Sequence, residues 1–337
     1  MNNYKLGLDV GSTTVKLVLL NDSNSIVFSE YRRHYSDIKN TIIGLMRECY
    51  DKFGDRKITV TITGSGGLSV SKWLDVKFVQ EVIACTETIE NIIPKTDVAI
   101  ELGGEDAKIT YLNSGIEQRM NGTCAGGTGA FIDQMASLLN TDASGLNELA
   151  KKHTVIYPIA SRCGVFAKTD VQPLINEGAK KEDIAASVLQ AVVNQTISGL
   201  ACGKPIKGNV AFLGGPLYFL SELRNRFIET LGLKEEEIIF PDNSQLFVAM
   251  GAALLSEEEN VISFKDLVSK VDNISDAKDD NIERLDPLFK NEEEYKEFKN
   301  RHDKAKAKRN KIEDAKGKVF LGIDAGSTTT KVVLINE

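Results

Sequence analysis

The sequence predicts an α/β protein with two lobes built on mixed sheets, followed by a charged helical extension. Three observations favour this fold class. The 337 residues are 42% hydrophobic, which is enough to bury a large core in two lobes. Strand and helix patterns follow one another in the order β-β-β-α-β-α near the N-terminus, as in mixed sheets with crossover helices. Two β-hairpins, one with Asp9 and one with Glu101, carry an acidic residue near the end of their first strand.

The first hairpin joins two apolar strands, residues 6–10 and 15–20, through a small polar turn. Gly11 allows the backbone to turn tightly and to approach a ligand closely. Three residues then offer backbone N–H groups and hydroxyls around one point, which suits phosphate oxygens. They are Ser12, Thr13 and Thr14. An ordinary polar hairpin would show the same local pattern, so a single copy leaves both interpretations open.

Asp9 and Lys16 place charges beside that turn. A carboxylate at the strand end can hold a hydrated Mg²⁺, and an ammonium group can contact phosphates. Residues 321–336 repeat the hairpin, with Asp324 and Lys331 at the corresponding positions and the same Gly, Ser and two Thr residues between them. A turn needed only for topology would not require this whole polar set, so the repeat favours phosphate binding.

Charge and composition argue against several classes of protein. A formal net charge of −7 speaks against nucleic acid as the main partner. No uninterrupted apolar run reaches about 18 residues, so we expect no membrane span, and the N-terminus shows no secretory signal. The cysteines are odd in number and widely spread, which predicts a reducing cytoplasm rather than a disulfide framework. They are Cys49, Cys85, Cys124, Cys163 and Cys202.

Hydrophobic periodicity predicts the remaining elements of the first lobe. We expect a third strand at 25–34, a helix at 37–53, a strand at 57–63, a short and mostly apolar run at 78–83, and a helix near 86–93. Residues 97–112 then form a second hairpin of the same kind, with Glu101 at the end of a strand and Gly103 and Gly104 in the turn. Two such hairpins could clamp a triphosphate from both sides.

A glycine-rich segment, residues 120–131, leads into a predicted helix. Gly127 and Gly129 lie in it, where N–H donors and the positive end of the helix dipole suit an anion. The thiolate of Cys124 would be favoured there, and Cys163 also precedes a helical pattern. Their separation is far from a CxxC spacing, so spacing alone favours two buried structural cysteines.

The second lobe continues with a helix at 184–200 and a strand at 209–213 that runs into Gly214 and Gly215, where a flat ring could lie against the backbone. These patterns place one domain at residues 1–255, with lobe I at about 1–96 and 241–255 and lobe II at about 97–240. Residues 256–316 alternate acidic and basic runs, which is typical of a charged helical linker. Residues 317–337 read as the start of a second, truncated repeat in a longer tandem protein.

The motifs resemble the acetate and sugar kinase, heat-shock chaperone and actin superfamily of ATPases. More closely, residues 4–255 are similar to the activators of 2-hydroxyacyl-CoA dehydratases and to the ATPase subunits of benzoyl-CoA reductase. The matching segments are two phosphate loops, an adenosine segment and two cysteine-containing stretches: residues 7–16, 101–108, 210–216, 121–131 and 161–167. The resemblance implies a two-lobed, actin-like (ribonuclease H-like) ATPase fold that binds ATP and Mg²⁺.

The resemblance implies that Cys124 and Cys163 are iron–sulfur ligands. Two thiolates per chain cannot complete a four-cysteine site, whereas a homodimer can share one [4Fe–4S] cluster on its two-fold axis. Reduced ferredoxin or flavodoxin would supply the electron, and a dehydratase-like or reductase-like iron–sulfur protein would accept it. The other three cysteines match no ligand position and are expected to be structural.

The resemblance also implies roles in the nucleotide site. Asp9 and Glu101 would hold Mg²⁺ through water, and Glu105 would position the attacking water. The phosphates would lie against Gly11, Ser12, Thr13, Thr14, Lys16, Gly103 and Gly104, and the nucleoside against Gly214 and Gly215. Glu101 stands where the family usually has Asp, and Glu105 where it usually has Gln. The second difference adds a negative charge near the γ-phosphate.

Two other functions stay open. A small-molecule kinase on the same scaffold would need a carboxylate base beside an acceptor hydroxyl, and no residue stands out in the sequence as that base. A nucleotide-gated assembly or sensor module would bind ATP without iron or turnover. The leading hypothesis is an ATPase that drives electrons from the cluster into a dehydratase-like or reductase-like partner.

Overall fold

The computed structural model describes residues 4–113, 115–121, 126–161, 164–256, 261–273, 285–326 and 329–336. The chain divides into two compact units, Met1–Ala277 and Lys278–Glu337. The strands and helices of the first unit are, in chain order, β1 (Tyr4–Val10), β2 (Thr14–Leu20), β3 (Ile26–Arg33), α1 (Ile38–Phe53), β4 (Lys57–Thr63), α2 (Gly67–Leu74), β5 (Lys77–Phe78), α3 (Glu81–Ile92), β6 (Val98–Leu102), β7 (Ala107–Tyr111), β8 (Glu117–Met120), α4 (Gly129–Leu138), α5 (Ala143–Ala150), α6 (Gly164–Asn176), α7 (Lys181–Thr196), β9 (Val210–Leu213), α8 (Gly215–Phe219), α9 (Ser221–Leu231), β10 (Ile238–Ile239), α10 (Phe247–Leu254), β11 (Val261–Ser263) and α11 (Phe264–Asp272).

The first sheet has the strand order β11-β4-β1-β2-β3, with β5 beside β4. Strand β1 pairs antiparallel with β2 and parallel with β4. Leu6 and Leu8 point into a core that they share with α1 and α11. Gly7 points the other way, onto α10, where an added Cβ would collide with the Ala249 carbonyl oxygen. Both faces of the central strands are therefore covered, which explains why most of their residues are apolar.

The second sheet has the strand order β10-β9-β6-β7-β8. Strands β6 and β7 form the second predicted hairpin, and β9 pairs parallel with β6. Among the described residues, one helical stretch, Lys181–Ala201, is long and apolar enough to cross a membrane, with a mean hydropathy of 1.3 and 67% of its most apolar window buried within the protein. Polar residues interrupt this stretch, so the sequence shows no continuous apolar run of about 18 residues there. Its fully buried Ile184, Val188 and Val192 form part of the core of the second lobe.

Helices α3 and α10 pack against each other in a core that contains side chains from both sheets. Gly251 in α10 leaves no room for a side chain, because an added Cβ would collide with the Ala84 carbonyl oxygen of α3. The Thr88 hydroxyl donates to the Phe247 carbonyl oxygen at 2.7 Å. This helix crossing connects the two lobes and lies at the base of the cleft between them.

The boundary expected at residue 255 differs from the structure. Strand β11 pairs antiparallel with β4, and Phe264, Leu267 and Val271 of α11 are fully buried in the core of the first lobe. Residues 261–272 thus belong to that lobe and not to the predicted linker at 256–316. Three large apolar residues at helical spacing are enough to fix an otherwise charged segment against the core. The sequence analysis assigned them to the linker because most of the residues around them are charged or polar.

The second unit contains α12 (Glu292–Asp303), β12 (Val319–Ala325) and β13 (Thr330–Asn336). The Asn291 side chain caps α12 by accepting from the Glu294 N–H at 2.9 Å. Strands β12 and β13 form an antiparallel hairpin in which Asp324 lies opposite Lys331. Every described residue of this hairpin is exposed. The unit therefore has a helix within the predicted linker and a hairpin at the predicted repeat.

Candidate functional site

The first hairpin brings Asp9 and Lys16 together beside its turn. They are register partners across β1 and β2, and the Lys16 Nζ lies 2.8 Å from the Asp9 Oδ2. Burial lowers the pKa of the Lys16 ammonium, but attraction by Asp9 outweighs it and leaves this pKa above its ordinary value. The Lys16 ammonium is therefore charged at neutral pH and paired with Asp9, beside the turn expected to hold phosphate.

The turn of this hairpin is closed by a hydrogen bond from the Gly11 N–H to the Thr14 carbonyl oxygen at 2.9 Å. An added Cβ on Gly11 would lie 3.3 Å from that oxygen, a tight contact that a side chain could make only with a small shift of the turn. Ser12, Thr13 and Thr14 line a cleft of about 470 Å³. This volume lies in the usual range of small-molecule sites, about 300–1,000 Å³.

The second hairpin faces the same cleft. Glu101 lies opposite Lys108 across β6 and β7, and the Gly103 N–H closes the turn on the Asp106 carbonyl oxygen at 2.8 Å. The two turns touch, since an added Cβ on Gly104 would collide with the Thr13 hydroxyl. The tertiary structure therefore brings together the two turns predicted to be phosphate loops, which are far apart in the chain.

Lys108 is the centre of a buried charge cluster that the sequence analysis did not identify. Its Nζ lies 2.5 Å from Glu81, 2.5 Å from Asp106 and 3.3 Å from Glu101. Burial lowers the pKa of Lys108, but Glu101, Asp106 and Glu81 together raise it well above its ordinary value. This ammonium is therefore charged at neutral pH and orients three carboxylates around one edge of the cleft.

Glu81 is the functional candidate that sequence reasoning missed. It lies in the first turn of α3, a helix that begins earlier than the predicted 86–93, within the apolar run at 78–83. Burial raises the pKa of its carboxyl above the ordinary value despite the opposing effect of Lys108. An acidic residue at a helix start is common because of the helix dipole, so the sequence held no specific signal.

The charges of the cleft suit a divalent cation. Four carboxylates face two ammonium groups, which leaves two negative charges in excess when all are ionised: Asp9, Glu81, Glu101 and Asp106 against Lys16 and Lys108. No group of three or more His, Cys, Asp or Glu side chains among the described residues could hold a metal directly. Mg²⁺ commonly keeps several waters and uses one or two carboxylates plus substrate phosphates. The residues present fit a cation held in that way.

Glu105 lies at the exposed rim of the cleft. Its carbonyl oxygen accepts from the Asn121 side-chain amide at 3.3 Å, which ties this turn to the end of β8. The exposed position leaves the Glu105 carboxylate accessible to solvent, whereas Glu81 is held inside the cleft by Lys108.

Gly214 and Gly215 also line the cleft, at the end of β9. Gly214 has a φ of +89°, and an added Cβ would collide with the Leu102 carbonyl oxygen. An added Cβ on Gly215 would collide with the Tyr31 hydroxyl. The backbone contact thus accounts for glycine at position 214 without a ligand, and both residues line the cleft although Gly215 is buried.

A second cavity, of about 440 Å³, shares Thr13, Gly104 and Gly215 with the cleft. Gly129 lines this second cavity, but its N–H is already used, because it donates to the Gly103 carbonyl oxygen at 3.0 Å. The next amide, of Ala130, donates to the Gly104 carbonyl oxygen at 2.7 Å. These two amides therefore do not form the open anion site expected at this helix start. They fix α4 to the second phosphate loop instead.

Gly127 has a φ of +82° and packs against Gln195. The proposed iron ligands nearby, Cys124 and Cys163, lie outside the described residues. Burial raises the pKa of the Cys49 thiol to about 12. Burial also raises that of Cys85 well above its ordinary value. Neither buried thiol is therefore ionised at neutral pH, which agrees with their expected structural role.

Comparison with known proteins places these observations in a family. A model of the BadF/BadG/BcrA/BcrD ATPase family matches residues 6–256. The chain is 34% identical over 273 residues to the 2-hydroxyisocaproyl-CoA dehydratase activator of Clostridioides difficile, covering 78% of this chain and 98% of the relative. It is 33% identical over 259 residues to the (R)-2-hydroxyglutaryl-CoA dehydratase activating ATPase of Acidaminococcus fermentans, covering 75% and 97%.

Solved structures agree with these matches. The activator of the 2-hydroxyisocaproyl-CoA dehydratase from Clostridium difficile, with bound ADPNP, superposes with a TM-score of 0.66 at 30% identity over 83% of this chain and 100% of that one. Component A of the Acidaminococcus fermentans (R)-2-hydroxyglutaryl-CoA dehydratase gives 0.65 at 29% identity, covering 78% and 98%. The predicted two-lobed, actin-like α/β fold is confirmed, and the chain belongs to the BadF/BadG/BcrA/BcrD ATPase family.

Proposed function

We propose that this protein is an ATP-dependent activator that couples ATP hydrolysis to electron transfer into a 2-hydroxyacyl-CoA dehydratase-like or reductase-like iron–sulfur enzyme. The observation that carries the proposal is the contact between the two phosphate loops, at Thr13 and Gly104, above a cleft with an excess of negative charge. The relatives named as activators align with this chain over 98% and 97% of their own length. One of the similar solved structures has the ATP analogue ADPNP bound.

In the ATPase step, water attacks the γ-phosphorus of ATP, and ADP and phosphate leave. Thr13, Thr14, Lys16 and Gly103 would hold the phosphates through hydroxyl, ammonium and backbone groups. Mg²⁺, held through water by Asp9 and Glu101, would supply charge stabilisation on the phosphate oxygens. Glu105 at the rim is assigned to position the attacking water.

For electron transfer, Cys124 and Cys163 of two copies would hold one [4Fe–4S] cluster. Exposed apolar residues adjoin the two cysteines in the sequence, namely Met120 before the first, and Val165 and Phe166 after the second. A surface of this kind is suited to cover by a second copy of the chain. Reduced ferredoxin or flavodoxin would give one electron to the cluster, and the partner enzyme would receive it.

Anaerobic reconstitution with iron and sulfide tests this proposal. We expect iron and visible absorbance in the wild-type protein and their loss in the Cys124→Ser, Cys163→Ser double variant. Cys202→Ser is the matched control, because Cys202 is an exposed thiol far from both sequence motifs. A double variant that keeps its iron, or a control that loses it, would refute the ligand assignment. Electron paramagnetic resonance of the reduced dimer then tests for a single shared cluster.

A small-molecule kinase remains the second candidate, because the structure contains a carboxylate that the sequence analysis had not found. Glu81 lies inside the cleft, and burial raises the pKa of its carboxyl, a property that suits a general base. Stoichiometric phosphorylation of a hydroxyl-containing metabolite, lost in Glu81→Gln, would support the kinase. ATP hydrolysis to free phosphate with no acceptor would support the activator.

A further inference from the structure

Helix α4 is tied directly to the second phosphate loop. Its first amides, of Gly129 and Ala130, donate to the carbonyl oxygens of Gly103 and Gly104 at 3.0 and 2.7 Å. Ile132, Met135 and Ala136 of the same helix are buried in the core of the second lobe. A displacement of the second phosphate loop would therefore be transmitted to the start of α4.

The first phosphate loop is hydrogen-bonded in a similar way to the end of β3. The His34 N–H donates to the Thr13 carbonyl oxygen at 3.2 Å. The His34 Nδ1 accepts from the Ser36 N–H at 3.0 Å, so the Nε2 carries the proton, and it lies 3.2 Å from the Gly11 carbonyl oxygen. Tyr35 and Ser36 follow with φ values of +45° and +67°, which are strained for residues with side chains. The end of β3 is therefore shaped around this loop.

Arg33 connects the end of β3, beside the first phosphate loop, with α4, which is bonded to the second. It pairs with Thr14 in the sheet, and its guanidinium donates to both carboxylate oxygens of Asp133 in α4, at 2.7 and 3.2 Å. Asp133 lies one helical turn after Gly129. The ion pair is half-exposed, and its two residues line the second cavity together with Thr13 and Gly104. It therefore spans from the first lobe to the second, beside the point where the phosphate loops touch.

We propose that the Arg33–Asp133 ion pair is a latch between the lobes that couples the nucleotide state of the phosphate loops to the position of α4. Exposed ion pairs contribute little to stability, so a latch of this kind can open and close. ATP bound between the loops favours the closed latch, and its loss on hydrolysis and release allows α4 to move. The latch itself does not depend on the proposed function. Only the further step, in which a movement of α4 reaches the cysteine segment before it in the chain, rests on that function.

Hydrogen exchange of the α4 amides, with and without Mg-ADPNP, tests the latch in the full chain. In the wild type, we expect nucleotide to slow exchange in α4. The α4 response is the ratio of the exchange rate without nucleotide to the rate with Mg-ADPNP. Arg33→Gln and Asp133→Asn should each reduce this ratio by about 2–5-fold, which is the range for an exposed ion pair. Because coupling is reciprocal, the Kd of the analogue should rise by a similar factor.

The adjacent residue offers a matched control. Arg32 makes an ion pair of the same geometry, with Nη atoms 2.9 and 2.8 Å from the two Glu48 oxygens, but it stays within the first lobe. Arg32→Gln should leave the α4 response unchanged. The Arg33→Gln, Asp133→Asn double variant should resemble either single variant, because both remove the same interaction. Arg33→Asp combined with Asp133→Arg should recover part of the response.

Salt provides a second measurement that does not depend on folding of a variant. The Debye length falls from about 10 Å at 0.1 M salt to about 3 Å at 1 M. The wild-type α4 response should decline toward that of Arg33→Gln as salt is raised, while the variant itself changes little.

Three results would overturn the latch: an unchanged α4 response in Arg33→Gln, the same loss in Arg32→Gln, or additive effects in the double variant. A wild-type protein that does not respond to Mg-ADPNP would overturn it as well. Iron analysis separates this outcome from the proposed function. Iron-containing protein with no effect of Arg33→Gln rejects the latch alone, and iron-free protein with an intact latch response rejects the electron-transfer function alone.

Discussion

The chain contains the same hairpin sequence in two environments, at β1–β2 and at β12–β13. Both copies form the same antiparallel register. The Lys Nζ lies 2.8 Å from the Asp carboxylate in the first copy and 2.7 Å in the second. In both turns the Gly N–H donates to the second Thr carbonyl oxygen or its equivalent, at 2.9 and 3.1 Å. Hairpin shape and the acid–lysine pair are therefore set locally.

The surroundings of the two hairpins are opposite. Leu8 is 0% exposed in the first copy, whereas the corresponding Ile323 is 63% exposed in the second. The Asp and Lys side chains are 5% and 15% exposed in the first copy and 65% and 64% in the second. Within the described residues, only the first copy faces a second phosphate loop. The comparison teaches that the local motif is insufficient for a nucleotide site, which also needs the packing that buries its charges.

The largest expected effect is on catalysis. Asp9→Asn should lower kcat for ATP hydrolysis by about 10²–10³-fold, up to about 4 kcal/mol, because a group that orients the cation in a desolvated cleft is lost. Asp324→Asn should leave kcat unchanged. Phosphate release measured for both variants checks this difference, and equal losses would mean that the second hairpin also takes part in hydrolysis.

Stability should distinguish the two hairpins next. Leu8→Ala removes a fully buried side chain and should lower the free energy of unfolding of the first unit by about 3 kcal/mol. Ile323→Ala removes an exposed one and should change it by about 0.5 kcal/mol or less. Urea denaturation followed by far-UV circular dichroism measures both. A comparable loss in Ile323→Ala would show that the second hairpin is packed against other protein in solution.

Nucleotide should protect only one copy. Mg-ADPNP at 100 times its Kd stabilises the folded first unit by about 2.7 kcal/mol, so the most slowly exchanging amides of β1 and β2 should exchange about 100-fold more slowly. The β12–β13 amides should exchange at the same rate with and without nucleotide. Hydrogen exchange read by mass spectrometry compares the two hairpins in one sample, and protection of both would contradict a single nucleotide site.

The smallest of these effects concerns one methyl group. Gly7→Ala places a Cβ against the Ala249 carbonyl oxygen of α10, and overpacking of this kind costs about 1–3 kcal/mol. The corresponding Gly322→Ala meets only the Val333 carbonyl oxygen, at 3.9 Å. The midpoint of thermal unfolding should therefore fall in the first variant and stay constant in the second. A tolerated Gly7→Ala would mean that α10 can move away from the sheet.

Several features could be predicted from residue patterns because they depend on neighbours in the chain. The strand at Lys57–Thr63 and the hairpin that contains Asp9 and Lys16 follow from residue patterning and turn chemistry. Other elements could not be predicted in this way. Between Gly215 and Leu231, for example, the chain forms two helices, α8 and α9, because Leu220 adopts an extended conformation between them.

The sequence by itself determined the hairpins, the acid–lysine pairs and the family, because each depends on local spacing or on motifs. Only the tertiary structure decided that Glu81 faces Lys108, that the α4 amides are used by Gly103 and Gly104, and that Arg33 reaches Asp133. These contacts join residues from different lobes or different elements. Their existence depends on how the two sheets and the α3–α10 crossing are packed, and no local pattern records that packing.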